Sequence, residues 1–261
     1  ELGGVGAYLN IAEEINLVGT INKLLPKRQQ GLTIGDYIMI ASINRGLEVA
    51  SKRSMWHWFQ NTVLLNYYPG IKKEQLSSQR FWDHMDKIPQ ERIMDIWQEV
   101  LNAAFKKHEQ KIFQVSYDET NFYSFISTFN TRCTLAQRGK NKQGRSNLRQ
   151  VNYALFCSKD NHIPLYFDVY QGNKHDSKEF YQVIPKFKSA FQQHVRANSQ
   201  ITLVFDKGNN SPENIREVEE NGFHYVGSLK LNEHPDLCEL SSQNEKFKDF
   251  NHPRLSQMKA Y

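Results

Sequence analysis

Cysteine is scarce and unpatterned in this chain. Its three thiols, Cys133, Cys157 and Cys238, are odd in number and form no C-x-x-C pair. That excludes a disulfide framework and a cysteine-based zinc site, and fits the reduced thiols of a cytosolic protein. Long hydrophobic runs are missing too. The longest near the N-terminus, residues 37–43 (YIMIASI), is far too short to span a bilayer, and no charged-then-apolar leader precedes it, so no membrane role is expected. The histidines His175, His194 and His224 show no metal-ligand spacing. Internal repeats and low-complexity stretches are absent. The last absence is acid: residues 121–150 contain no aspartate or glutamate.

That gap locates the charge. The net charge of +5 is modest, but residues 111–150 carry seven basic and two acidic side chains. Residues 1–110 carry 13 and 12, and residues 151–261 carry 13 and 14, so both flanks are close to neutral. A cationic segment this concentrated suits a polyanion, although a solvated basic loop has the same composition. At 261 residues the chain is long enough for one large domain or two smaller ones.

The first 110 residues read as helices. Thr33 followed by Asp36 is a capping-box pattern ahead of an apolar run, residues 34–43. Residues 91–105 place Ile93, Ile96, Trp97, Val100, Leu101 and Ala104 at helical spacing. Between them, residues 78–82 (SQRFW) open a short helix whose aromatics are expected in the core. After Lys111 the period changes to two. Residues 112–117 (IFQVSY) read as a strand ending at Asp118, and residues 151–157 and 163–170 flank the turn SKDNH as an antiparallel hairpin. Asp176 reads as the N-cap of a helix running to about Phe191. Residues 201–205 are the next strand, ending at Asp206. Ser211-Pro212 starts another helix, Gly222 sits where a left-handed C-terminal residue belongs, and residues 223–227 are a final strand. The expected fold is therefore α/β: a mixed sheet, an antiparallel meander followed by α/β crossovers, preceded by a helical N-terminal region.

Asp118 and Asp206 share one pattern, an apolar strand followed by an acid. Where crossover connections feed a sheet, strand C-termini line the crevice in which ligands bind. If the two strands pair in parallel, the carboxylates become neighbours, and their repulsion is relieved by a shared proton or a bound cation. A hard cation such as Mg²⁺ takes oxygen ligands and leaves room for phosphate and water. Aspartate also caps turns after strands, and the pattern alone does not separate these readings. Asp168 lies within a strand and reads as an exposed or edge residue. A phosphatase of the haloacid-dehalogenase type is excluded, because the second acid it needs falls on Thr120.

Four segments resemble the DDE transposases of bacterial insertion sequences: YDETNFYSF (117–125), LAQRGKNKQGRSNLRQVNYAL (135–155), IPLYFDVYQGN with HDSKEF (163–180), and LVFDKGNNS (203–211). Within them the likeness is to the cut-and-paste group, whose RNase H-like catalytic core carries a β-rich insertion. It spans about residues 75–235 in the correct order. The resemblance implies DNA cleavage at the element ends followed by strand transfer into target DNA, in a bacterial, nucleoid-associated protein. It implies Asp118 and Asp206 as the first two catalytic acids, ligands of two Mg²⁺ or Mn²⁺ ions. It implies Arg132, Arg138, Lys140, Lys142, Arg145 and Arg149 as contacts to DNA, and a homo-oligomer on paired ends. Residues 1–110 are then the helical region that binds element ends, residues 111–230 the catalytic core, and residues 231–261 the start of the insertion.

The departure is the third acid. The group carries it on a helix in which Tyr stands three residues before Arg, with Glu and Lys further on. None of the 12 tyrosines here has Arg at that distance. Glu213, Glu217, Glu219 and Glu220 come too early in the fold order. The chain, which starts at Glu1 instead of Met, is therefore expected to be a fragment with an incomplete core. The alternative is a truncated, catalytically inactive transposase that only binds DNA or a complete partner transposase.

Overall fold

The computed structural model describes residues 3–26, 31–140, 144–192, 200–228, 232, 235–240, 244–249 and 259–260. Two compact units divide the chain, Glu1–Lys111 and Ile112–Tyr261.

The first unit is helical: α1 Gly3–Glu14, α2 Leu17–Lys23, α3 Ile34–Leu47, α4 Met55–Phe59, α5 Leu64–Tyr67, α6 Ser78–Met85 and α7 Arg92–Lys107. The Thr33 capping box forms as expected. The Asp36 amide donates to Thr33 Oγ1 at 3.2 Å, and the Thr33 amide donates back to Asp36 Oδ2 at 2.7 Å. Behind that cap α3 is apolar on several sides, and Tyr37, Met39, Ile40 and Ile43 pack with Trp58, Phe59 and Phe81 in one core. Trp82 departs from expectation. Phe81 is buried, but its neighbour is 53% exposed, with Lys52 Nζ lying 4.5 Å over the ring. A cation over an aromatic face at an exposed site is worth about 0.5–1 kcal/mol.

In the second unit the strands are β1 Gln114–Ser124, β2 Gln137–Arg138, β3 Arg149–Ser158, β4 Pro164–Gln171, β5 Thr202–Phe205 and β6 His224–Gly227, with helices α8 Asp176–Phe191 and α9 Pro212–Glu220. Their order across the sheet is β2-β3-β1-β5-β6, with β4 paired on β3. β1 runs antiparallel to β3 and parallel to β5, and β5 runs parallel to β6. This mixed sheet with its helical crossovers, preceded by a helical region, is an RNase H-like architecture. From residue 231 onward, where an insertion was expected, the described parts are a short helix, α10 Pro235–Cys238, and a two-stranded pair, β7 Lys248–Asp249 with β8 Lys259–Ala260.

α8 covers one face of the sheet. Its Phe180, Val183, Ile184, Phe187 and Phe191 are buried, as are Val115, Phe156, Leu203 and Phe205 on the strands. Phe187 stacks on Phe156 at 4.2 Å between ring centroids, and Phe180 meets Tyr117 edge-on at 4.7 Å.

Two local expectations are corrected here. β1 does not end at Asp118 but continues to Ser124, because its ladder with β3 is unbroken from Val115↔Ser158 to Ser124↔Arg149. Backbone pairing carries the polar half of the strand. The N-cap of α8 is His175, not Asp176, whose Oδ1 instead accepts the Tyr170 hydroxyl at 2.9 Å.

Candidate active site

β1 alternates across the sheet. Val115, Tyr117 and Glu119 point to the buried side, while Asp118 and Thr120 are exposed on the other. Asp118 therefore projects from the middle of a central strand. On the neighbouring parallel strand, Gln114 pairs with Thr202, Val115 with Leu203 and Ser116 with Val204. The ladder stops there, and the same offset carried two residues further on matches Asp118 with Asp206, the first residue after β5, across strands roughly 4.8 Å apart.

Both side chains are held by backbone amides. Asp118 Oδ1 accepts from the Glu119 amide at 2.9 Å, and Asp206 Oδ1 accepts from the Gly208 amide at 2.7 Å. The second bond makes Asp206 the N-cap of a 3₁₀ turn, Lys207–Asn209. The capping role that the sequence pattern allowed is thus realised through one oxygen of Asp206. The other oxygen of each carboxylate, Oδ2, makes no hydrogen bond to a described residue. Both aspartates are exposed.

Behind the exposed pair lies a buried polar network that the sequence did not disclose. Glu119, only 9% exposed, accepts from the Tyr117 hydroxyl at 2.6 Å and from Asn209 Nδ2 at 3.1 Å. Glu119 follows Asp118 and Asn209 closes the turn that Asp206 opens, so this bond joins the two acid-bearing segments from below. Asn214, at the start of α9, extends the join: its Nδ2 donates to the Asn209 carbonyl at 3.0 Å and to the Ser177 carbonyl at 3.1 Å. Burial pushes the Glu119 carboxyl up to about 7, against its two hydrogen bonds, with the Asp176 and Asp118 charges adding to the rise. Burial, and then the adjacent Glu119, also raises the Tyr117 hydroxyl above the usual tyrosine value. The signal for Glu119 was its parity, an acid at an inward position of a period-two strand.

Arg132, Arg138, Lys140 and Arg145 are exposed on the segment between β1 and β3. Lys142 lies outside the described residues. Arg149 is half-buried, and its guanidinium donates to three carbonyls of the β1–β2 connection: Nη1 to Asn130 at 2.8 Å and Cys133 at 3.4 Å, Nη2 to Thr128 at 2.7 Å. A cavity of about 290 Å³ beside this segment is lined by Asn121, Lys140, Asn152, Lys174, His175 and Asp176. A larger cleft of about 600 Å³ between α8 and α9 is lined by neither Asp118 nor Asp206.

Two exposed carboxylates at positions that continue one parallel register, each with an oxygen free of hydrogen bonds to described residues, fit a divalent cation. Mg²⁺ and its like take one or two protein carboxylates and complete their shell with water and phosphate oxygens. Among the described residues, no group of three His, Cys, Asp or Glu side chains converges as a metal site. Nor is any helix there long and apolar enough to cross a membrane.

An RNase H-like sheet with level acids on neighbouring central strands is the class that fold and site define. Residues 123–255 match the family described as Transposase DDE domain, and the chain belongs to that family. The match begins past Asp118 and includes Asp206. No curated protein matches the chain. Among solved structures, a Mos1 transposase paired-end complex with left transposon end aligns at 9% identity and a TM-score of 0.31, over 77% of this chain and 61% of that one. A piggyBac transposase synaptic complex with hairpin DNA aligns at 13% and 0.46, over 90% and 51%. The catalytic domain of Mos1 mariner transposase aligns at 10% and 0.32, over 61% and 78%. The chain thus spans between half and two thirds of the first two proteins.

Proposed function

We propose that this chain is the acid-bearing part of a DNA transposase of an insertion sequence, hydrolysing a phosphodiester at the element end and joining the freed 3′ end to target DNA. The observation that carries the reading is the parallel register of β1 and β5, Ser116 opposite Val204, whose offset Asp118 and Asp206 both continue. In this role Asp118 and Asp206 would hold Mg²⁺ or Mn²⁺, two ions by family resemblance. The backbone bonds from Glu119 and Gly208 fix the orientation of both carboxylates, so little reorganisation is needed when phosphate arrives. Bound divalent ions would supply activation of the attacking oxygen and stabilisation of the departing one. Arg132, Arg138, Lys140, Lys142 and Arg145 contact the DNA backbone, with an affinity that falls steeply with salt. Arg149 supports them by pinning the connection between β1 and β2. The helical first unit binds element ends, and the working form is an oligomer on paired ends.

The test has two readouts. Mn²⁺ binding to the 261-residue chain, followed by electron paramagnetic resonance, is expected to be lost in Asp118→Asn and in Asp206→Asn while DNA binding in EDTA persists. Metal-dependent nicking of an element end by the protein that carries this chain is expected to vanish in the same variants. Undiminished Mn²⁺ binding and nicking in either one would sink the assignment.

A second reading is favoured by the count of acids, two at the site and no third converging on them among the described residues. In it the chain binds DNA, or a complete transposase, without cutting. Mn²⁺ binding without nicking, together with inhibition of a complete transposase in trans, separates this reading from the first.

A further inference from the structure

β1 continues beyond the acids. Phe122 lies on the face of Asp118, roughly 13 Å along the strand. It is 60% exposed, and the chain that follows carries Phe125 and Phe129 at 78% and 91%. Open phenyl rings in this density mark a binding surface. They are interleaved with cations: the Arg145 guanidinium sits 4.6 Å over the Tyr123 ring, and Tyr123 meets Phe125 edge-on at 5.9 Å. Arg149 fixes the carbonyls of Thr128, Asn130 and Cys133, and Arg138 Nη2 reaches Thr128 Oγ1 at 3.2 Å. The segment presenting the rings is therefore braced, and residues 121–150 hold no acid that would repel phosphate.

We propose that this aromatic and arginine surface, centred on Phe125 and Phe129, binds unpaired nucleotides of a DNA strand. The argument is one of complementarity. Basic side chains alone would suit a duplex, whose base faces are stacked out of reach. Exposed rings alone would suit an apolar protein partner, which has no use for an acid-free cationic frame. Only a single strand offers phosphates and open base faces together, and stacking on aromatic side chains is how such strands are held without regard to sequence. The proposal rests on the chain acting on DNA, not on Asp118 and Asp206 being catalytic.

The experiment uses the 261-residue chain in EDTA, with fluorescence anisotropy of a labelled oligothymidine strand and of a duplex of equal length. Phe125→Ala and Phe129→Ala are each expected to weaken single-strand binding roughly five- to hundredfold, leaving duplex binding within about twofold. Phe129→Trp is expected to retain affinity and to show fluorescence quenching with the single strand only. Tyr181→Ala, an exposed ring in the cleft between α8 and α9, is expected to leave single-strand affinity unchanged, and the chelator keeps this outcome separate from the metal test. An equal loss on both substrates, no loss on either, or an indole signal in Phe129→Trp indifferent to the strand would overturn the proposal.

Discussion

Glu119 and Asp118 are adjacent on β1 and occupy opposite worlds. On the side of Glu119 the sheet is closed by α8, with Val115, Phe156 and Phe187 fully buried. On the side of Asp118, Phe122 and Val169 are 60% and 40% exposed. The same backbone serves both, and the period of two lets one strand stabilise the fold on alternate residues and present chemistry on the others. The comparison teaches where rigidity at the site comes from. The exposed carboxylates are set by what lies beneath them: Glu119 tied to Asn209, and aromatic rings packed edge-on and tilted under β1 and β5. The closed face should therefore answer to substitutions in stability, and the open face in ligand binding.

The largest expected effect contrasts two phenylalanines. Phe187→Ala removes a fully buried ring that packs on Phe156, Tyr166, Phe191 and Phe223. It should cost about 3–5 kcal/mol of unfolding free energy in urea titrations. Phe122→Ala, on the open face, should stay within about 0.5 kcal/mol. Equal losses would show that the open face is covered after all.

Next in size is the pH dependence that Glu119 confers. Its carboxyl is raised to about 7 in the fold. A raised acid binds its proton more tightly folded than unfolded, so the neutral form favours the native state. The stabilisation is complete below the ordinary glutamate value and is lost as pH climbs through 7. The decline is on the order of 3 kcal/mol. Glu119→Gln stays neutral at every pH, so its stability should fall less between about pH 5 and about pH 8 by that amount, measured by chemical denaturation in chelator. The same slope in both proteins would show that Glu119 ionises freely.

Legibility in the sequence follows the range of the forces involved. The capping box at Thr33, the β3–β4 hairpin and the Ser211-Pro212 helix start are local devices, and each stands where its residues announce it. The two acids of the candidate site stood out because their strands repeat one pattern, but that pattern left cap and ligand equally open, and only the family resemblance chose between them. What escaped was tertiary. The polar half of β1 is a strand because β3 pairs with it. Asp176 takes a hydroxyl from Tyr170 instead of capping its helix. Trp82 stays 53% exposed, with Lys52 over its ring, while its neighbour Phe81 takes the core position. Asn209, in the polar string DKGNN, is 2% exposed, and nothing in that string points to Glu119, ninety residues back along the chain.

The smallest effect is the sharpest test of the two faces, because Asp206 belongs to both accounts. One of its oxygens caps the 3₁₀ turn through the Gly208 amide, and the other makes no hydrogen bond to a described residue. Asn caps about as well as Asp, whereas Ala forfeits the bond at a cost of about 1 kcal/mol. Asp206→Asn should therefore match the parent in stability to within about 0.5 kcal/mol yet lose Mn²⁺ binding, since an amide replaces the anionic ligand. Asp206→Ala should lose both. If Asn proves as destabilising as Ala, the carboxylate charge itself supports the turn, and Asp206 is a structural acid on the open face. If Asn keeps both stability and Mn²⁺ affinity, the ion is held elsewhere. Only stability kept with affinity lost assigns one oxygen of this aspartate to the fold and the other to the metal.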